Sequence, residues 1–458
     1  MPQRYQGWRA YQESLKQSQR NRKRHASLIS GIKRGGVFLT IIACLLTIGV
    51  HFFSEEENTS AHRKKPLEEK IGLGADVVRS LLAPEQLASC QKDTFTAHVE
   101  GKPVEVKTTL NMELQELLIS EFKRNIAKKR GTPRYVSAVA LDPETGRIIS
   151  LVGLSSDKGS VNPSIEAHYP AASIFKIITA SAAVETLHFS PTTRLNFNGG
   201  KYTLYKRQLT EKKNRYTNTI TLRDAFAQSV NPVFGKLGTL KLKGKKLKTY
   251  GEKFFFNRPI EFDLPVQPSV LSIEEDPYQW AEVACGFNRA TKISPLHGAL
   301  IAATAINGGV LPAPYLIEKV TGETQENLYS AQAHDLGRVT TTKASQTVEK
   351  LMERTIRSGT ARKSFSGYRR DAVLKDLVLG GKTGSIFNKG RDVRVDWFVG
   401  FAKEKRGQRA MAIAVVVGHQ KYIGTRASTY ARMAMTNYFS QPPQNTQVAD
   451  TGKTETTG

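Results

Sequence analysis

The sequence predicts an α/β domain, an antiparallel sheet flanked by helices, behind one N-terminal transmembrane helix. Three observations predict it. Arg134 to Leu141 and Arg147 to Val152 are strand-like runs joined by Asp142-Pro143-Glu144-Thr145-Gly146, a hairpin signature. Three more strand-like runs, Val378 to Ser385, Asp396 to Ala402 and Ala410 to Gly418, stand late in the chain with helical patterns before and after them, an order that puts a sheet under helical cover. Val37 to Phe53 is apolar apart from threonines, Gly49 and His51, and is about long enough to cross hydrocarbon as a helix.

The span decides what the charge means. Nine basic residues, from Arg4 to Arg34, precede it against the single acid Glu13, and Glu55, Glu56 and Glu57 follow it. The positive-inside bias then puts residues 1–36 in the cytoplasm as a basic tail and everything after the 37–53 anchor outside. The protein is therefore expected in the cell's cytoplasmic membrane as a single-pass protein with its main folded domain periplasmic or extracellular. A cleaved signal peptide would carry a small-x-small site after the apolar core, and His51-Phe52-Phe53-Ser54-Glu55 offers none, so the span reads as an uncleaved anchor. A formal charge of +26 attracts nucleic acid in general, but an exported chain does not meet it, and nucleic acid is excluded as a partner. Cys44 lies in the span, which leaves Cys90 and Cys285 outside, with one disulfide between them left open.

Residues 54–105 are charged and interrupted by Pro66 and Pro84, with one helix-like stretch near Ile71 to Leu82, and read as a juxtamembrane stalk. Globular patterning is expected over 106–440. A helix is predicted from Asn111 to about Lys128, the hairpin follows, and Pro170-Ala171-Ala172 opens a long helix to about Leu187. Leu222 to Leu237 is partly helical around Pro232, and a last helix runs from about Ala427 to Phe439. Residues 441–458 are polar and read as a disordered tail.

The chemistry lies in three short motifs. Ser173-Ile174-Phe175-Lys176 places a hydroxyl and an amine three apart at a helix opening, where a desolvated lysine can take the proton of a weak serine nucleophile. Ser30/Lys33 and Ser155/Lys158 repeat the spacing, the first inside the cytoplasmic tail and the second in a polar loop. Ser229-Val230-Asn231 offers a hydroxyl able to relay a proton and an amide able to hold both a substrate carbonyl and the lysine. Ser160-Val161-Asn162 has the same form but precedes Ser173. Lys382-Thr383-Gly384, on an edge strand, offers a cation and a hydroxyl to a carboxylate, with Gly384 admitting substrate to the backbone. Gly380-Gly381-Lys382-Thr383 lacks the upstream glycine of a phosphate loop, Asp376 standing in its place.

Ser-x-x-Lys, Ser-x-Asn and Lys-Thr-Gly in this order resemble the signature of penicillin-binding proteins and serine β-lactamases. The resemblance runs over most of 107–440. It takes in Thr108-Thr109-Leu110-Asn111, Leu222-Arg223-Asp224-Ala225, Ile293-Ser294-Pro295-Leu296, Ser358-Gly359-Thr360-Ala361 and Asp396-Trp397-Phe398-Val399-Gly400-Phe401, and it looks like a peptidoglycan transpeptidase domain, class B-like with a reduced pedestal. It implies a β-lactamase/transpeptidase-like fold with a helical subdomain and an acyl-enzyme on Ser173 formed from a D-Ala-D-Ala stem peptide. Lys176 would act as base, and Ser229 would pass a proton to the leaving D-alanine. Asn231 would orient the substrate amide, Lys382 and Thr383 would bind its terminal carboxylate, and Gly384 would let the substrate approach the backbone. The backbone N–H groups of Ser173 and Ser385 would form an oxyanion hole. Peptidoglycan stem peptides as substrates, β-lactam antibiotics as covalent inhibitors and a glycosyltransferase as partner also follow from the resemblance. Two departures from it are Pro170-Ala171-Ala172, where Pro-Gly often precedes the serine, and Phe254-Phe255-Phe256-Asn257, in which a Phe-Gly-Phe-Asn segment has lost its glycine.

Each residue alone has a plainer reading: Lys176 as a solvated helix lysine, Ser229 as a helix-end serine, and the basic stretch Lys241 to Lys248 as a solvated face. Three motifs in order favour the site. His168, His188, His297 and His419 show no ligand spacing, so neither metal nor other cofactor is expected. A D,D-carboxypeptidase would share the acyl-enzyme and use water as acceptor. A β-lactamase needs a deacylating group, and no counterpart of the class A glutamate segment is present. A β-lactam sensor would carry several spans.

Overall fold

The computed structural model describes residues 73–442 except 84–86, 88–89, 128–129, 158 and 389. The predicted span Val37 to Phe53, the cytoplasmic tail and nearly all of the C-terminal tail lie outside the described residues. Among those described, no helix is long and apolar enough to cross a membrane.

The centre is a five-stranded antiparallel sheet, in the spatial order Leu377–Phe387, Arg394–Glu404, Ala410–His419, Pro133–Leu141 and Ile148–Ser155. Both predicted groups of strands are present, and the late group joins the early hairpin where Val415 faces Ala138. The hairpin turn forms because the Asp142 carboxylate accepts from the N–H groups of Glu144 and Thr145, while Gly146 takes φ +79° with its α-carbon pressed on the carbonyl of Ala313.

Period-two alternation assigns the sheet's two faces to different cores. Ala138, Ala140, Ile413 and Val415 pack with Leu114, Leu118, Phe122 and Tyr430 from the helices Met112–Ile126 and Ala427–Ser440. Val139, Leu141, Ala412 and Val416 pack on the other side with Ile174, Ile177, Leu296 and Leu300. The Met112–Ile126 helix starts where Asn111 Oδ1 accepts the N–H of Leu114 at 2.9 Å, the N-cap geometry expected of asparagine. Its buried Gln115 then ties it to the sheet through the N–H and carbonyl of Leu151. A helical subdomain follows the helix Lys176–Leu187, built from Leu222–Ala227, Asn231–Lys236, Lys243–Lys253 and Pro277–Cys285. In Lys243–Lys253, Leu247 and Tyr250 are buried while Lys243, Lys245 and Lys248 face water, so that stretch is a solvated face.

The folded part reaches further back than residue 106. Thr94–Val99 and Lys102–Thr108 form a hairpin that adds Ile317–Thr321 and Asn327–Ser330 to make a four-stranded sheet. Val104 and Val106 are buried, as are Val78, Leu82, Leu87 and Cys90 before them. The predicted stalk therefore ends well before 105. Lys102–Thr108 alternates valines with charged residues over only a few positions, and beyond its own hairpin it pairs with Ile317–Thr321 some two hundred residues later, so no local signal marks the four-stranded sheet. Cys90 and Cys285 are both buried and both free thiols.

Candidate active site

The nucleophile segment departs from the predicted α-helix at its first turn. Tyr169–Pro170 pairs briefly with Lys292–Ile293, and Trp397, fully buried in the second sheet strand, donates its indole N–H to the Pro170 carbonyl at 2.9 Å. Ala172 then turns into the left-handed region at φ +47°, Ala172–Phe175 is a 3-10 turn, and the α-helix begins at Lys176. Three residues per 3-10 turn stack positions i and i+3 one above the other, which aligns Ser173 and Lys176. The ammonium nitrogen of Lys176 lies 2.8 Å from Ser173 Oγ.

Alanine at φ +47° is strained, and Gly286, at φ +69°, presses its α-carbon so closely on the Ala172 carbonyl that any side chain there would collide. Left-handed strain of about 1–2 kcal/mol at Ala172 is set against a buried methyl worth about 0.8 kcal/mol. Ala172→Gly is therefore expected to leave stability within about 1 kcal/mol of wild type. Ala172→Val, β-branched at positive φ and pushed toward Gly384, is expected to lose about 3 kcal/mol. Urea unfolding midpoints of the two variants check this.

Ser229 stands in a break between helices. Thr221 caps Leu222–Ala227 by accepting the N–H of Asp224, Ser229 takes φ +55°, and Asn231 opens the next helix with Pro232 behind it. This reversal turns both side chains of the motif inward. Asn231 Oδ1 accepts from Lys176 Nζ at 2.8 Å, and Ser229 Oγ accepts from Lys382 Nζ at 2.9 Å. Lys382-Thr383-Gly384 lies on Leu377–Phe387, which is the sheet's edge strand as predicted. A side chain at Gly384 would stand 3.3 Å from the backbone nitrogen of Ser173, so the glycine allows the strand and its Ser385 peptide to run beside the nucleophile.

The structure thus brings Ser173, Lys176, Ser229, Asn231, Lys382, Thr383 and Gly384 to one place. It also rearranges their expected contacts. Lys382 is fully buried, donating to Ser229 and to the carbonyl of Thr383 at 2.7 Å, whereas Thr383 is half-exposed and shares a hydrogen bond with the Thr360 hydroxyl. The hydroxyls open to an incoming carboxylate are therefore those of Thr383 and Thr360. Burial, and after it the charge of Lys176, hold the Lys382 amine well below its ordinary value. Burial also brings Lys176 down to about 8, against a smaller upward pull from Cys285.

Several supporting groups carry no motif. The carbonyl of Cys285, at the end of Pro277–Cys285, accepts from Lys176, and that of Ala284 accepts from Thr179 at 2.8 Å. The carbonyls of Lys201 and Tyr202 hold the N–H and side-chain amide of Asn231 at 2.7 and 3.1 Å. Thr360, within Ser358-Gly359-Thr360-Ala361, is placed by its N–H donating to the Ala227 carbonyl at 3.0 Å. Backbone carbonyls are indifferent to side-chain identity, so a single sequence does not mark them. The decoys lie elsewhere: Ser155 Oγ accepts from Asp157 N, Ser160 donates to Glu166, and Lys158 and Ser30/Lys33 lie outside the described residues.

The model of the penicillin binding protein transpeptidase domain matches residues 136–436. Stage V sporulation protein D of Bacillus subtilis is 25% identical over 350 residues, covering 71% of this chain and 51% of that protein, so the chain spans about half of this relative's length. Peptidoglycan D,D-transpeptidase PbpA of Mycobacterium tuberculosis is 24% identical over 376 residues, covering 73% and 71%. The crystal structure of PBPA from Mycobacterium tuberculosis matches at TM-score 0.59 and 22% identity, over 73% of this chain and 82% of that one. Penicillin-binding protein 2B from Streptococcus pneumoniae matches at TM-score 0.61 and 19% identity, over 74% and 60%. These structural likenesses establish the α/β transpeptidase fold. Fold, motif order and a match over most of the chain agree, and the chain belongs to the penicillin-binding protein transpeptidase domain family.

Proposed function

We propose that this protein is a membrane-anchored serine D,D-transpeptidase that cross-links peptidoglycan stem peptides. The observation that carries the reading is the pair of lysine bridges, Lys176 joining Ser173 to Asn231 and Lys382 joining Ser229 to the edge strand. Ser173 Oγ attacks the carbonyl of the penultimate D-alanine as Lys176, neutral, takes its proton. Negative charge on the carbonyl oxygen develops toward the backbone N–H groups of Ser173 and Ser385. Ser229 gives its hydroxyl proton to the nitrogen of the departing D-alanine and takes one from the Lys382 ammonium that donates to it, and the D-alanine carboxylate meets Thr383 and Thr360. An amine of a second stem peptide then attacks the ester, its proton passing through Ser229 back to Lys382, while Lys176 returns the first proton to Ser173 Oγ as the ester bond breaks. The same serine takes β-lactams as covalent inhibitors, in line with the imipenem acyl-enzyme complex solved for penicillin-binding protein A of M. tuberculosis. A glycosyltransferase is the functional partner, since cross-linking needs strands that acyl transfer does not polymerise.

Mass spectrometry of the protein incubated with stem peptide, with and without an amine acceptor, tests the reaction. Cross-linked dimer is the expected product, and a penicilloyl adduct should persist for many times a β-lactamase turnover. Release of D-alanine without dimer would make the protein a carboxypeptidase, and rapid repeated hydrolysis of penicillin would make it a β-lactamase.

The anchor is tested separately. A reporter fused after residue 60 is expected outside the cytoplasm, and the protein should stay in the membrane fraction after a high-salt wash, given the charge asymmetry about Val37 to Phe53. A soluble processed form lacking the span would overturn it.

A further inference from the structure

A cleft of about 570 Å³ opens past the end of the Thr342–Ser358 helix. Its charged lining is Arg357, Arg362, Lys363, Arg369 and Arg370, all exposed, and no acid stands in its walls. We propose that this cleft binds a diphosphate, or two phosphate esters held as closely together.

The loop that carries these cations is firmly built. Phe365 is buried and stacks on Phe398 at 5.6 Å between ring centroids. Arg432 reaches up from the C-terminal helix to the carbonyls of Ser364 and Ser366 at 3.1 and 2.8 Å, and the hydroxyls of Ser364 and Ser428 meet at 2.7 Å. Asp371, the acid that follows the loop, is already committed to Arg432 and to the N–H groups of Val373 and Leu374. Glu353, one helical turn before Arg357, is half-buried, and its charge is felt by Lys403 and Lys350 as well as by Arg357. Among the described residues, none of the five lining cations forms an ion pair with a carboxylate. Arg369 instead lies against its neighbour, with Nε 3.3 Å from the Tyr368 hydroxyl.

Five like charges converging on one concavity repel one another, and their field lines focus where low-dielectric walls enclose them. A single carboxylate would answer one of the five. A diphosphate brings two adjacent anionic groups and many acceptor oxygens, and the guanidinium fork matches phosphate through paired N–H···O bonds. Arg362 in the cleft wall follows by two residues Thr360, whose hydroxyl meets Thr383. The cleft's existence does not depend on the transpeptidase reading.

The probe is inorganic pyrophosphate, titrated calorimetrically into the detergent-solubilised full chain. Saturable binding that weakens as salt rises is expected. Arg369→Gln with Arg370→Gln should weaken it about tenfold or more while fluorescent penicillin still labels at the wild-type rate. Lys245→Gln with Lys248→Gln, on the solvated helix face, removes the same charge elsewhere and should leave binding unchanged. Equal loss in both double variants would reduce the effect to net charge and overturn the site, as would unchanged binding in the arginine variant. Micelles doped with phosphatidylglycerol or with phosphatidylcholine identify the source of the anion. Arginine-dependent preference for the anionic micelles, with no pyrophosphate binding, assigns the cleft to lipid headgroups, and pyrophosphate binding indifferent to the micelle assigns it to a free phosphate ligand. Failure of both probes overturns the proposal.

Discussion

Ser173→Ala is expected to abolish covalent labelling by fluorescent penicillin, a fall of at least about 10⁴-fold in acylation rate, while the protein stays folded. The chemical half of this follows from Ser173 being the hydroxyl bonded to Lys176, whose burial brings its amine to about 8. The structural half follows from what Lys176 keeps. After the hydroxyl is gone Lys176 still donates to Asn231 Oδ1 and to the carbonyl of Cys285, which satisfies both N–H groups of the neutral amine and leaves one of the ammonium's three without an acceptor. One hydrogen bond of about 1 kcal/mol is the expected loss. Peptide mapping of the wild-type adduct should find it on the segment containing Ser173. Ser155→Ala and Ser160→Ala should label normally, because Ser155 sits at a strand end and Ser160 is spent on Glu166. An adduct on either decoy, or labelling of Ser173→Ala at the wild-type rate, would show that the wrong serine had been chosen.

The sheet and the three motifs were legible because their signals are local. A continuous apolar run marks Ala410–His419 as a strand buried on both faces, Asp-Pro-Glu-Thr-Gly marks the hairpin, and each motif keeps its own short spacing. Conformation at single residues was legible only in part. At both places where the sequence lacks the glycine of the resembled segment the backbone has a positive φ, +47° at Ala172 and +65° at Phe255, as it also has at Ser229 and other non-glycine residues. A side chain is tolerated at Phe255 because its ring is buried and takes the Arg258 guanidinium at 4.2 Å, an apolar and cation–π gain that offsets the backbone strain. The sheet that the Thr94–Thr108 hairpin helps to build was not legible, since the strands beyond the hairpin's own two stand far away in the chain. Nor was the burial of Lys382: a Lys-Thr-Gly motif names an amine and a strand but leaves open which way the amine turns. Here Ser229, carried inward by its left-handed backbone, takes it.

The rate of penicillin labelling is expected to rise with pH through about 8 and then level off, because Lys176 must be neutral to accept the serine proton and burial has brought its amine to about 8. The sign follows from which form acts. Below that value the amine is protonated and donates to Ser173, so the base is blocked; above it the lone pair is free. At pH 7 roughly one site in ten is ready, which puts the plateau about tenfold above the neutral rate. An unburied lysine, at its ordinary value, would still be climbing at pH 10. Lys176→Ala should slow labelling by about 10³-fold or more and remove the rise near pH 8. Lys176→Arg separates the two services the lysine could offer. A guanidinium keeps the charge beside Ser173 and the donors to Asn231, yet it does not give up its proton, so it should be as inactive as the alanine variant. Both variants are expected to fold. Losing the bonds to Asn231 and Cys285 is destabilising, but in the alanine variant it is offset by no longer having to bury an amine. A labelling rate in Lys176→Arg close to wild type would show that Lys176 acts as a charge rather than as a base, and a flat pH profile in the wild type would show that some other group takes the proton.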